Sequence, residues 1–135
     1  MNPIRIISFL FLSSILISCS SSRIVPIEIE KINFGYGGGF TGAVKSYSLE
    51  ADGQLRQVEW EKDTLVKRID VAVTQQLFER SKEFISYQFN EPGNMYSFLE
   101  IQSKKNTQKI MWGMNSQRVE KKVMQLYNEL IALTK

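Results

Sequence analysis

Residues 63–87, DTLVKRIDVAVTQQLFERSKEFISY, decide how the rest of the chain must be arranged. Val66, Ile69, Val73, Leu77 and Phe84 recur at spacings close to three and four, interrupted by Arg80, which is the period of one helical face. Asp63 stands just before them, where its carboxylate can accept the amide hydrogens that a first helical turn leaves unpaired. The spacing predicts a helix from Thr64 to about Tyr87, with Asp70 as the alternative start. Glu79 and Glu83 then belong to its wet face. Asn90-Glu91-Pro92-Gly93-Asn94 ends the helix and turns the chain.

Outward from that helix, the pattern changes to a period of two. In VPIEIEKINF, Val25, Ile27 and Ile29 alternate with Glu28 and Glu30, which predicts a strand from Val25 to Phe34. Ala43 to Glu50 and Gln54 to Glu61 form a hairpin about Ala51-Asp52-Gly53, whose Asp-Gly pair is a turn signal. Tyr47 and Leu49 share one face of its first strand, Val58 and Trp60 one face of its second. Beyond the helix, MYSFLEIQ and TQKIMWGM make another hairpin around Lys104-Lys105-Asn106. Met95, Ser97, Leu99 and Ile101 alternate with Tyr96, Phe98 and Glu100, so both faces of that strand should be partly covered; Ile110 and Trp112 share a side of its partner. Ser116 can cap a final helix with Val119, Val123, Leu126, Leu130 and Leu133 inward, Tyr127 and Ile131 widening the stripe, and Arg118, Lys121, Lys122 and Glu129 outward. The expectation is an α+β domain: an antiparallel sheet of about five strands with two helices packed on one face, in the order β-ββ-α-ββ-α. The other face is free to offer aromatic or polar contacts.

The most distinctive piece is FGYGGGFTG, Phe34 to Gly42, with five glycines in nine residues. Such a run permits positive φ and close backbone approach, and Tyr36 and Phe40 supply rings that can lock a bend onto the core or touch a partner. Both roles fit, and they can coexist. Tyr36, Gly37, Gly38, Gly39, Phe40, Thr41 and Gly42 are therefore the candidate recognition loop. The phosphate-loop pattern GxxxxGK[ST] is absent, and the glycine spacing does not match a dinucleotide fingerprint. Backbone amides here could form an anion nest, although nothing selects that over ordinary turns.

The front end bears on location. Met1 to Arg5 carries one fixed side-chain charge, and Ile6 to Ile17 follows as twelve residues, nine of them large and apolar. As a helix that run rises about 18 Å, short of the roughly 30 Å hydrocarbon core of a bilayer. A basic start, a short apolar run and small residues before a cut are the marks of an export signal. Cys19 is the only cysteine, so no intramolecular disulfide can form. Leu16-Ile17-Ser18-Cys19 resembles the lipobox of bacterial lipoproteins. The resemblance implies cleavage before Cys19 and lipidation of Cys19 by thioether-linked diacylglycerol, with an amide-linked acyl chain such as palmitate in many bacteria. Two or more chains attach a protein stably, each buried methylene contributing about 0.8 kcal/mol. The expected organisation is a signal peptide over 1–18, the lipidated cysteine and a short tether over 19–23, and one domain over 24–135. The acidic surface-export signal of some Bacteroidetes lipoproteins is not evident in Ser20-Ser21-Ser22-Arg23. The expected location is the cell envelope, as an outer-membrane lipoprotein facing the periplasm, with surface exposure open.

Through YGGGFTG at 36–42, YSLEADG at 47–53 and MWG at 111–113, the chain resembles uncharacterised small lipoproteins of Bacteroidetes-type bacteria. GGGFTG before a strand, with a late tyrosine-bearing hairpin before a terminal helix, looks more distantly like emfourin, a family of small proteinaceous inhibitors of thermolysin-like metalloproteases. That likeness carries over Gly38, Gly39, Phe40 and Gly42 as scaffold positions and implies no particular inhibitory residue. The longer middle helix and the lipid anchor depart from the emfourin pattern.

Catalytic chemistry is narrowed by composition. The chain has no histidine, which removes Ser-His-Asp and Cys-His pairs, Cys/His zinc sites and HExxH chemistry. Paired carboxylates survive as a class, with Glu59, Glu61 and Asp63 close in sequence, though a charged strand face explains them as well; Glu28, Glu30 and Asp52 likewise have structural roles. No catalytic, cofactor-binding or metal-binding residue is assigned, and no cofactor is expected. The formal net charge of +3, one unit of it on Arg5, is too small for a nucleic-acid partner. Lys104-Lys105 and Lys121-Lys122 are small basic patches. Trp60, Tyr96, Phe98 and Trp112 are core residues by default, and an exposed aromatic face among them would mark a binding module. The reading is a lipid-anchored, non-enzymatic envelope interaction module. Its partners are the membrane through Cys19 and an envelope protein or glycan; a membrane-tethered protease inhibitor and a small carboxylate enzyme are the alternatives.

Overall fold

The computed structural model describes residues 28–60 and 62–135. The export segment, Cys19 and its tether therefore lie outside the described residues. Seven strands form one mixed sheet: β1 (Ile29–Gly38), β2 (Val44–Glu50), β3 (Gln54–Glu59), β4 (Lys62–Arg68), β5 (Asn90–Glu91), β6 (Met95–Ser103) and β7 (Thr107–Gly113). Two helices, α1 (Val71–Ser81) and α2 (Lys121–Ala132), complete it. The spatial order is β4-β3-β2-β1-β6-β7-β5. Every neighbouring pair is antiparallel except β5 with β7.

Period-two alternation decides which face is covered. Leu55, Leu49, Ile32 and Ile101 stand opposite one another across four strands, and all four are fully buried. The adjacent rung carries Tyr47, Phe34, Leu99 and Ile110, also buried. A slip of one residue in β1 would turn Ile32 and Phe34 to the other side, so burial holds the register. Leu77 and Phe78 of α1 and Val123, Leu126, Tyr127 and Leu130 of α2 join the same core. The helices meet each other through Arg80, paired twice with Glu129 at 2.5 and 3.0 Å, and α2 meets the turn after α1 through Lys122 with Glu83 at 3.1 Å.

The five-strand antiparallel layout in the order β-ββ-α-ββ-α is overturned by two strands and one direction. Residues 62–68 are β4, not the first turns of a helix. Only two residues separate Glu59 from its ladder partner Lys62, Arg56 reaches Asp63 at 3.0 Å, and the Ile69 amide donates to the Gly53 carbonyl at 2.7 Å. These tertiary bonds outweigh the three/four spacing, which at Val66 and Ile69 is a coincidence of an extended segment. Asp63 caps nothing. Asp70 does: its carboxylate accepts from the Ala72 amide at 2.8 Å. The buried stripe of α1 is Thr74, Leu77, Phe78 and Ser81, whereas Val66 and Val73 are exposed. Two members are polar and satisfied locally, Thr74 donating to the Asp70 carbonyl at 3.1 Å and Ser81 to that of Phe78 at 2.7 Å.

Residues 90–91 supply the second unforeseen strand. After a single 3-10 turn at Lys82–Phe84, the chain passes beside β7, and Asn90 and Glu91 pair in parallel with Met111 and Trp112. Pro92 follows and stops the ladder, as expected for a residue with no amide hydrogen. The last helix begins at Lys121, later than the Ser116 cap implied; Ser116 instead accepts from the Arg118 amide at 3.3 Å in the turn ahead of it. Both sheet edges are blunt. β5 is two residues long, and β4 carries Lys62 and Lys67 with a bulge that leaves Val66 unpaired, devices that discourage further strand addition.

Candidate functional site

β1 does not end at Phe34 but runs on to Gly38, so Tyr36, Gly37 and Gly38 of the candidate loop are strand residues. Gly35 shows why glycine is needed there: a Cβ would overlap the Lys45 carbonyl oxygen of β2, and the Tyr127 hydroxyl donates to the Gly35 carbonyl at 3.0 Å from α2. Tyr36 is half-buried, on the same face as Phe34 and opposite Lys45 and Ser97.

The turn proper begins at Gly38, whose φ of +96° places it in glycine's territory and whose hydrogen lies against the Asn94 carbonyl. Gly38 donates to Ala43 at 3.2 Å, Gly39 to Asn94 at 2.8 Å, and Gly42 back to Gly39 at 3.2 Å. The turn is thus pinned to the start of β6. Phe40 stands at its tip with 107% of its reference area exposed, and Thr41 and Gly42 are exposed beside it.

A second exposed ring occupies the same end of the sheet. Trp60, directly after β3, is 105% exposed. Since β1 ends where β2 begins and β3 ends where β4 begins, the two tips project from adjacent hairpins. The start of β6 and the end of β7 lie at this end too, and add exposed Met95 and Met114; Val44 at the start of β2 is also exposed. The other three aromatics behave as core or cover. Trp112 is 2% exposed and meets Tyr127 edge-on at 5.0 Å, Phe98 is 7% exposed beneath Lys109 at 5.2 Å, and Tyr96 is half-buried. Counting Trp60 among the default core aromatics is therefore corrected. Its flanking residues Glu59 and Glu61 gave no signal, since Ile29 lies between Glu28 and Glu30 and is buried.

Glu61 lies outside the described residues, and among the described residues the carboxylates do not assemble. Glu59 accepts from the Gln57 side chain at 2.6 Å and stands opposite Lys62, Asp63 pairs with Arg56, and Asp52 closes the β2–β3 turn by accepting from the Gln54 amide at 3.0 Å. That turn bond holds the Asp52 carboxyl below its ordinary range. Glu28 pairs with Lys104 at 2.5 Å, which lowers the Glu28 pKa and raises that of Lys104. On the uncovered sheet face, Asn33 donates to Glu100 at 2.7 Å and Ser48 to Glu50 at 3.1 Å. Among the described residues no group of three or more His, Cys, Asp or Glu is placed to hold a metal, and no buried side-chain polar atom lacks a partner. No helix among them is long and apolar enough to cross a membrane.

A scan against protein-family models and a search of curated proteins both find no match. What the geometry defines is a seven-stranded mixed sheet backed by two helices, with one end dressed in unshielded apolar side chains.

Proposed function

We propose that the protein is a lipid-anchored, non-enzymatic interaction module of a bacterial cell envelope, held at the periplasmic face of the outer membrane by acylated Cys19 and gripping a second envelope component with the apolar end of its sheet. The observation that carries the reading is the full exposure of Phe40 and Trp60 on neighbouring hairpin tips. Large aromatics are expensive to leave in water, each offering roughly 150–250 Å² of burial, and they dominate binding energetics where they are found. The location rests on the LISC sequence before Ser20 and the short apolar run ahead of it.

The test is site-specific photocrosslinking in the native host. A photoreactive residue at position 40 or 60 should form an adduct, while one at Lys105, in the turn at the opposite end of the sheet, should not. Equal labelling from all three positions, or labelling from Lys105 alone, overturns the reading.

The pinned turn that projects Phe40 favours one further reading, a membrane-tethered inhibitor that seats this ring in a protease cleft. Titration against a thermolysin-like metalloprotease distinguishes it: stoichiometric inhibition lost on Phe40→Ala supports it, and undiminished proteolysis at excess protein removes it.

A further inference from the structure

We infer that the second component gripped by the apolar end is a lipid bilayer, with Phe40 and Trp60 dipping into its interfacial layer; the inference rests on the reading of that end as a binding surface. Three observations on this surface point to lipid. First, the rings crown two separate hairpins and stand clear of the protein, at 107% and 105% exposure. A protein-binding hot spot gathers its anchors into one central patch inside a shielding rim, whereas side chains that enter a bilayer interface project singly and are typically aromatic.

Second, each tip carries a lysine on its first rungs. Lys45 stands opposite Tyr36 below the Phe40 turn, and Lys62 opposite Glu59 below Trp60. Both lysines are exposed, and neither has an ion-pair partner among the described residues. Glu59, opposite Lys62, accepts from Gln57, and Glu61, next to Trp60 in sequence, lies outside the described residues. Apolar rings ahead of cations match the layering of acyl chains and anionic headgroups.

Third, the chain outside the described residues has the reach. Cys19 precedes Glu28 by nine residues, which can extend about 30 Å. The ten residues of β1 carry the chain from the tethered end to the aromatic end, a distance of about 33 Å at strand rise. Anchor and tips can therefore engage the same membrane with the sheet lying along it, the tips acting as a second foothold.

The two tryptophans make the test unusually direct. Trp60 is free and Trp112 is 2% exposed, so quenchers reaching from outside report on Trp60. The full acylated protein, purified from host membranes, is reconstituted into vesicles of phosphatidylethanolamine and phosphatidylglycerol with or without brominated acyl chains. Brominated lipid should quench at least half of the Trp60 emission, defined as the component removed by Trp60→Phe, and the same vesicles should protect it from aqueous iodide. Phe40→Ala should reduce both effects. Trp60 emission that is unquenched by brominated lipid and fully open to iodide overturns the inference. In that case, a protein or glycan adduct from position 60 in the host leaves the binding-surface reading intact, and the absence of any adduct removes both.

Discussion

Replacing Gly53 by alanine tests the architecture at the point where sequence pattern and structure part. Gly53 closes the β2–β3 turn with φ of +86°, so alanine there incurs left-handed strain of about 1–2 kcal/mol. Were residues 64–87 one helix, that strain would be the whole effect. In the structure, however, a Cβ on Gly53 overlaps the Ile69 carbonyl oxygen, and the Gly53 carbonyl accepts the Ile69 amide at 2.7 Å. Relieving the overlap pushes apart the two segments that this hydrogen bond joins, which adds about 1 kcal/mol for the bond. Strain in the neighbouring backbone brings the expected total to roughly 3 kcal/mol. Gly42 supplies the control, since it has φ of +62° and nothing within 4 Å of a built Cβ; its alanine variant should lose only the conformational part, about 1–2 kcal/mol. Thermal unfolding followed by far-ultraviolet circular dichroism measures both variants, with Tm expected to fall by about 4–8 °C per kcal/mol. Equal losses for Gly53→Ala and Gly42→Ala would refute the packing of the β4 exit against this turn.

Three further outcomes are expected. Leu49→Ala, at the centre of the buried rung with Ile32 and Leu55 on either side, should cost about 2–5 kcal/mol in chemical denaturation, while Leu65→Ala on exposed β4 should stay within about 0.5 kcal/mol of wild type. Burial holds the Tyr127 phenol above its ordinary range. The native state thus keeps that proton more tightly than the unfolded chain, so this contribution is present below the unfolded tyrosine value near 10 and is lost as pH rises through the native value. Tyr127→Phe should flatten the stability profile above pH ~10 and lower stability near neutrality by about 1 kcal/mol through loss of the bond to Gly35. Finally, Cys19→Ala should remove the acyl mass from the intact protein in mass spectrometry and release it from washed host membranes; a full-length wild-type chain with an unmodified residue 19 contradicts the anchor.

Elements that carry their own stop signals were readable from the residues. The two hairpins are bounded by Asp52-Gly53 and Lys104-Lys105-Asn106, and their alternation places Tyr47, Leu49, Ile110 and Trp112 in the core, where they are found. Of the stripe Val119, Val123, Leu126, Leu130 and Leu133, the first four are likewise buried and Leu133 is half-buried. Elements that owe their shape to distant partners were not readable. β4 is exposed on both faces and has no amphipathic period of its own, so its identity comes from the ladder with β3 and from the Gly53–Ile69 bond. β5 consists of two residues recruited by β7, and nothing local marks them. At the surface, the glycines around Phe40 marked a turn but left open whether its ring packs inward or outward; the structure leaves it exposed. Trp60 was not legible, because strand aromatics are core residues by default, whereas the face that Trp60 shares with exposed Val58 lies opposite buried Leu55 and is not covered by the helices.

The blunt margins of the sheet acquire a meaning once the chain is confined to a surface. Molecules spread over two dimensions by an acyl anchor collide edge to edge at local concentrations far above those in free solution, and share a common up-direction that favours side-by-side alignment. A long, flat outer strand would then invite neighbours to zip together into ribbons. Under the proposed acyl anchor, the bulge at Val66 with Lys67 beside it on one side, and a two-residue margin closed by Pro92 on the other, would keep such a crowded layer fluid.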